Sequence, residues 1–407
     1  MTSTVKQETS EQYLNEGKAL AAEGNWKEAI PCYQKAIELQ PELHEAYLEL
    51  GDAWRHQNEF DRALYFYLKL TQLKPGSGKV YSRFERLLEY SNLSSTQLEK
   101  IYQISAEEIT KYPNHTQIRT VVIYSLSALD RVEEASQFCQ EITYRNNKRT
   151  KPEFVEKYWQ DGKGEKPNFI VIGFMKCGTT SLYDYILQHP QVLPASQKEI
   201  MFFNNEKLFE MGVDWYRSNF PKIPDGSGYL TGEASTLYVQ SSKVARRLRD
   251  SFPDTKLIVL LRNPVDRAIS HYHFNRKLGY KTESLEKALT SEIQYLQNVK
   301  DIDQEIDGKF GYLIASSLYI YFLEKWMSIF PREQFLILRA EDLAADTSGT
   351  LDRVFDFLSL PNYKVSELSR KNTGSYANID KELHEKISHF FEPYNQKLQE
   401  HTGSRFS

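Results

Sequence analysis

The pattern of apolar and polar positions divides this 407-residue chain into two parts. Through residue 150 it is helical, and it repeats. Shifted by 34 residues, Gly17 falls on Gly51, Ala29 on Ala63, Tyr33 on Tyr67 and Pro41 on Pro75. Asn25-Trp26-Lys27-Glu28-Ala29 falls on Glu59-Phe60-Asp61-Arg62-Ala63. Each period reads as a helix pair. Gly17 and Ala29 let the two helices approach, Tyr33 and Ala36 fill the groove, and the prolines stop one pair and start the next. Residues 78–148 keep the helical pattern, with Ala135 and Phe138 placed as in a weakened repeat. More helices are expected there, because two such units do not stand well alone.

Beyond residue 167 the pattern changes to short continuous apolar runs separated by amphipathic segments. The runs 169–172, 256–261 and 335–338 are the strand candidates. Unbroken apolar strands belong to a parallel sheet covered on both faces, so a three-layer α/β domain is predicted. Polar residues 146–152 and the loop-like stretch 161–167 flank a short helix candidate at 153–160. The predicted organisation is a helical domain over 1–150, with clear repeats at about 10–43 and 44–77, a linker over 151–166, and the α/β domain over 167–407. The 34-residue period, with small residues at the helix crossing and a closing proline, resembles the tetratricopeptide repeat. That resemblance implies a concave surface that docks a protein partner or a second copy of the chain.

Composition narrows the picture. A net charge of −4 gives no global attraction to nucleic acid or anionic membrane, so any anion site must be local. Cys32, Cys139 and Cys177 are few, odd in number and without ligand spacing, which favours a reducing compartment. The N-terminus lacks the apolar core of a signal peptide, and no run approaches the length of a membrane span. The cytoplasm is the expected location.

The chemistry starts at the first apolar run of the α/β domain. Phe169-Ile170-Val171-Ile172 ends at Gly173, a short loop follows, and helix-compatible sequence begins near Ser181. Gly173 and Gly178 keep the spacing of a nucleotide triphosphatase loop, but Thr179 stands where the lysine should be, and the lysine is at 176. The backbone can still cradle a phosphate. The 256–261 run then ends in Arg262, where a metal-dependent nucleotidase needs an aspartate for Mg²⁺. An arginine fork and, eight residues on, the Ser270 hydroxyl suit a second phosphate rather than a cation.

The segment Gly173-Phe174-Met175-Lys176-Cys177-Gly178-Thr179-Thr180-Ser181 and the segment from Leu261-Arg262-Asn263-Pro264 to Ser270 together resemble the two cofactor motifs of sulfotransferases. Lys198-Glu199-Ile200-Met201-Phe202-Phe203 and Gly232-Glu233-Ala234-Ser235-Thr236-Leu237-Tyr238 are similar to the heparan-type branch, as in the sulfotransferase domain of heparan N-deacetylase/N-sulfotransferases. The resemblance implies a P-loop-like fold, 3′-phosphoadenosine 5′-phosphosulfate (PAPS) as donor, 3′,5′-adenosine bisphosphate (PAP) as product, and no metal. It implies Lys176 at the transferring group, and Gly178, Thr179, Thr180 and Ser181 around the 5′-phosphosulfate. It implies Arg262 and Ser270 on the 3′-phosphate, Glu199 as base, and Lys371, or Arg370, in a segment closing on the 3′-phosphate. The implied acceptor is a hydroxyl or amine of a carbohydrate, with a carrier-bound metabolite or a protein tyrosine as other candidates.

Several residues carry rival readings. Ser181 is expected to cap its helix, and Cys177 to be inert packing. Asp266 and Arg267 read as helix-start charge and a structural ion pair. His271 and His273 compete with Glu199 as base, and Glu233 is a candidate for orienting Lys176 or the acceptor. Glu341 and Asp342 could hold Mg²⁺ but are expected to cap a helix near Leu343. The charged stretch 283–309 reads as a solvated helix or a lid, and Trp326 as core. The alternatives for the whole chain are a P-loop kinase or NTPase, and a silent scaffold acting through its repeats.

Overall fold

The computed structural model describes residues 9–90, 92–164, 166–277, 283–368 and 380–403. The chain forms two compact units, Met1–Ala135 and Ser136–Ser407.

In the first unit helices Ser10–Ala22, Trp26–Leu39, His44–His56 and Phe60–Leu73 form the two expected pairs, ending just before Pro41 and Pro75. A methyl group at Gly17 would lie 2.5 Å from the Tyr33 ring, and one at Gly51 would run into the ring of Tyr67. The absent side chain therefore makes room for an aromatic ring, in both repeats and in the same register. Both tyrosines are fully buried. The helices Gly78–Tyr90, Ser95–Lys111 and Thr116–Ala128 continue the pattern. Helix Val132–Thr150 runs through the boundary, so the division falls inside it, 15 residues before the boundary expected at 150.

The second unit contains five strands: β1 (Phe169–Gly173), β2 (Val192–Pro194), β3 (Leu230–Ala234), β4 (Lys256–Leu261) and β5 (Phe335–Arg339). All pairs are parallel, in the order β2-β3-β1-β4-β5. The chain runs from β1 toward one edge and then returns to β4 on the other side. The carboxyl end of β1 is therefore the switch point where open α/β sheets bind ligands. β1 and β4 are the apolar runs read from sequence, buried almost throughout. β2 and β3 were not foreseen. β2 has only three residues, and β3 reads Leu-Thr-Gly-Glu-Ala, without an apolar run. Residues 283–309 are chiefly two helices, Leu285–Asn298 and Ile302–Ile306, rather than one stretch. Pro152–Tyr158 is helical, and Trp326 is fully buried.

Candidate active site

β1 delivers the chain to Gly173, where a Cβ would strike Val239 of the 3₁₀ turn Tyr238–Gln240. Phe174 N–H donates to the Leu260 carbonyl at 2.9 Å, which pins the start of the loop to β4. Lys176 and Gly178 then adopt φ of +71° and +89°. Left-handed backbone at closely spaced residues is the raw material of anion-binding concavities. For lysine it is strained, and such strain persists only where surroundings enforce it. Helix Thr179–Ile186 begins with Gly178 as N-cap and has no side-chain cap. Its first-turn N–H groups are left without a side-chain cap, and with the positive dipole end they are the kind of donors that suit an anion. Ser181 is thus not the cap that the sequence led us to expect. The helix starts two residues earlier, because Gly178 can take the left-handed cap position, and Ser181 sits within the first turn. Thr179 and Ser181 are buried, and Thr180 is half-buried.

Arg262, directly after β4, donates from Nη1 to the Lys176 carbonyl at 3.4 Å. The structure therefore brings the guanidinium against the loop. The Lys176 ammonium lies 4.5 Å from the ring centroid of Phe274, on helix Pro264–Lys277. Burial, and then the positive charges of Arg262, Lys277 and Arg267, hold its pKa below the usual lysine value. Ser270 is buried on the same helix, one turn before Phe274 and so on the face that meets Lys176. Asp266 is the expected first-turn charge of that helix, whereas Arg267, expected in a structural ion pair, is held by a hydroxyl and a carbonyl. Asp266 faces Arg262 at 3.8 Å. Arg267 is fully buried, its Nε donating to Ser317 Oγ at 2.5 Å and its Nη2 to the Leu313 carbonyl. Adjacent helix residues diverge by about 100°, so one side chain faces the site and the next the core.

Glu199 lies in neither strand nor helix, and its φ of +59° is left-handed too. Its N–H donates to the Ala234 carbonyl at 2.9 Å. Its carboxylate accepts from Thr236 N at 3.0 Å and Thr236 Oγ1 at 3.1 Å, and contacts the Lys198 ammonium. The end of β3 therefore anchors Glu199 just as the end of β4 anchors the loop. Cys177 is buried, with its Sγ 3.8 Å from the Tyr319 hydroxyl. Burial pushes its thiol up to about 11, which fits packing rather than a reactive thiolate.

Glu233 on β3 is fully buried and does not reach out as an orienting group for Lys176. It accepts from Tyr216 OH at 2.8 Å and Ser235 Oγ at 2.6 Å. Burial raises its carboxyl to about 7 against the opposing pull of those hydroxyls, with Glu199 adding to the rise. Ser235 Oγ also accepts from Met201 N at 3.2 Å, so Glu233 braces the turn that carries Glu199. A buried carboxyl on a short polar strand gives a sequence reader little signal; only the neighbouring Gly232, where a Cβ would strike Phe169, hints at close strand packing.

Glu341 and Asp342 fall in the first turn of helix Ala340–Ala345, and Glu341 accepts from Asn263 N at 2.7 Å. Among the described residues no group of three or more His, Cys, Asp or Glu side chains is placed to hold a metal ion. His271 is buried, and His273 has its pKa lowered by burial and by Arg276. Arg370 and Lys371 lie outside the described residues.

Comparison with known proteins bears on this geometry. The model of the sulfotransferase domain family matches residues 166–398, and that of the tetratricopeptide repeat matches residues 14–78. The chain is 28% identical to the membrane-associated sulfotransferase kil1 of Dictyostelium discoideum, over 57% of this chain and 64% of that protein's length. It is 30% identical to human heparan sulfate glucosamine 3-O-sulfotransferase 5, over 58% of this chain and 72% of that protein. It is 31% identical to human bifunctional heparan sulfate N-deacetylase/N-sulfotransferase 3, over 49% of this chain but 23% of that much longer protein.

Proposed function

The chain belongs to the sulfotransferase family, and from that premise we propose that it transfers the sulfuryl group of PAPS to a carbohydrate hydroxyl or amine. The observation that carries the reading is Arg262. A guanidinium stands against the 173–178 loop at the end of β4, where a nucleotide triphosphatase needs a carboxylate for Mg²⁺. The donor set fits a doubly phosphorylated nucleotide: Lys176, Arg262, the hydroxyls of Thr179, Thr180, Ser181 and Ser270, and the first N–H groups of helix Thr179–Ile186.

When bound, PAPS supplies the sulfuryl group and leaves as PAP. In our assignment Gly178, Thr179, Thr180 and Ser181 hold the 5′-phosphosulfate, and Arg262 and Ser270 the 3′-phosphate. The Lys176 ammonium would serve the leaving oxygen of the transferred group. Its lowered pKa makes it a stronger proton donor to that oxygen as charge builds there. The Glu199 carboxylate takes the proton of the acceptor O–H or N–H as the new bond to sulfur forms. Thr236 holds that carboxylate in place through two hydrogen bonds. The carbohydrate assignment is supported by the heparan sulfate enzymes among the relatives. We assign the repeats a docking role toward a protein partner or a second copy, and the chain a cytoplasmic residence consistent with its three free cysteines.

Calorimetry of PAP against ADP tests the reading, with wild type and Arg262→Ala. PAP binding without Mg²⁺, selective over ADP and weakened in the variant, is expected. Equal or tighter Mg²⁺-dependent binding of ADP would return the chain to the nucleotidases.

A further inference from the structure

Helix Val132–Thr150 closes the helical stretch in sequence, yet from Ser136 onward it belongs to the α/β unit. Two adjacent asparagines show what it does there. Asn146 Nδ2 donates to the carbonyls of Ala195 at 3.0 Å and Ser196 at 2.9 Å. Asn147 Nδ2 donates to the Pro194 carbonyl at 3.0 Å and to Thr143 O at 2.8 Å. Thr143 Oγ1 reaches the Asn219 carbonyl at 3.1 Å, and Asn219 in turn accepts from Ser196 N–H at 2.8 Å and from Ser196 Oγ at 2.6 Å. Thr143, Asn147, Ser196 and Asn219 are all buried.

The gripped segment is the end of edge strand β2 and the run into Glu199. An edge strand leaves one row of carbonyls without a ladder partner, and buried carbonyls need donors. A side-chain amide with two N–H groups supplies them. The consequence reaches further than satisfied carbonyls. Glu199 keeps a left-handed backbone that a β-substituted residue holds only when its surroundings over-determine it. Ala234 and Thr236 fix the chain at Glu199 itself. The asparagines fix it on the way in, at three consecutive carbonyls that end at Ser196.

We propose that Asn146 and Asn147 are positioning residues for Glu199, so that the catalytic scaffold of this chain begins in helix Val132–Thr150, ahead of the matched sulfotransferase region at 166. The catalytic part of the inference rests on the reading of Glu199 as base; the mechanical part does not.

The test uses the full chain and the variants Asn146→Ala and Asn146→Asp. Asn146 is the half-buried member of the pair, so its variants are the ones expected to fold. Hydrogen exchange read by mass spectrometry should quicken at least tenfold, as an order of magnitude, over 197–203 in both variants, with 174–186 unchanged. Asp keeps the shape of Asn but loses the donors, so agreement between the two variants assigns the effect to the hydrogen bonds. PAP affinity should stay within about twofold of wild type, while PAPS turnover with water as acceptor falls roughly ten- to a hundredfold at unchanged KM for PAPS. Unaltered exchange over 197–203, an Asp variant that behaves as wild type, or exchange that quickens across the whole unit would each overturn the proposal. Wild type that fails to bind PAP would instead sink the sulfotransferase reading, and the exchange data would still decide the positioning.

Discussion

The helical repeats and the α/β unit solve the same problem over different sequence distances. In the repeats, the contacts that close each helix pair fall within one period: Gly17 to Tyr33, Gly51 to Tyr67. In the α/β unit the site is assembled from chain ends far apart. Arg262 reaches back to the Lys176 carbonyl, Thr236 to Glu199, and Asn146 forward to Ala195 and Ser196. Local contacts repeat with the sequence period, so the sequence displays them. Long-range contacts form only when strands pair, and they concentrate backbone strain where the chemistry is placed. Lys176, Glu199 and Met201 all have positive φ, whereas Asn58 and Asp130 in the first unit, like Ser359 in the second, take it in turns after helices.

The sharpest way to break the comparison is at the loop. Lys176→Ala should lower PAPS turnover by about 10²–10³, the cost of removing one group aimed at developing charge. Single-turnover kinetics would check it, with the repeat unit's thermal transition unmoved. A smaller change in the α/β unit concerns pH. Glu233 has its carboxyl raised from 4.5 to about 7 by burial, so the folded state favours the proton. Its favourable contribution is complete below about pH 4.5 and is lost as pH rises through about 7. The loss is of order 3 kcal/mol for such a shift. Urea unfolding across that range should show stability falling with pH in wild type and a flatter profile in Glu233→Gln.

In the repeats, Gly51→Ala should cost roughly 1–3 kcal/mol, because the new methyl meets the Tyr67 ring inside a packed helix pair. PAP affinity should not change; a parallel loss would show that the two units unfold as one. The smallest effect tests a local rule alone. Ser94 caps helix Ser95–Lys111 in a reciprocal pair with Gln97. Ser94→Ala should cost about 1 kcal/mol, seen as a shift of the repeat unit's unfolding midpoint.

Legibility in the sequence follows the same division. The helix pairs, β1, β4 and β5, and the Gly173–Ser181 loop all lie in contiguous residues whose spacing carries their geometry. β3 escaped notice because a central strand may contain Thr, Gly and Glu when a neighbouring strand and buried hydroxyls receive them. Ser181 was misread as a cap because the left-handed turn at Gly178 is a property of the folded loop, not of residue type alone. Arg267 reads as a member of a structural ion pair because its actual partners, Leu313 and Ser317, are distant in sequence.

The sequence by itself determined the 34-residue helical repeat, the parallel α/β class, and a strand–loop–helix turn between Gly173 and Gly178 whose lysine is at 176, followed by Arg262 and Ser270. Each is set by spacing along one stretch of chain, where backbone periodicity converts sequence distance into direction. Only the tertiary structure decided the order of the strands, the burial of Glu233, and the junction at which Asn146 and Asn147 hold the run into Glu199. Those depend on which carbonyls an edge strand leaves without partners and which donors a distant helix brings to them, and neither is fixed until the sheet has formed.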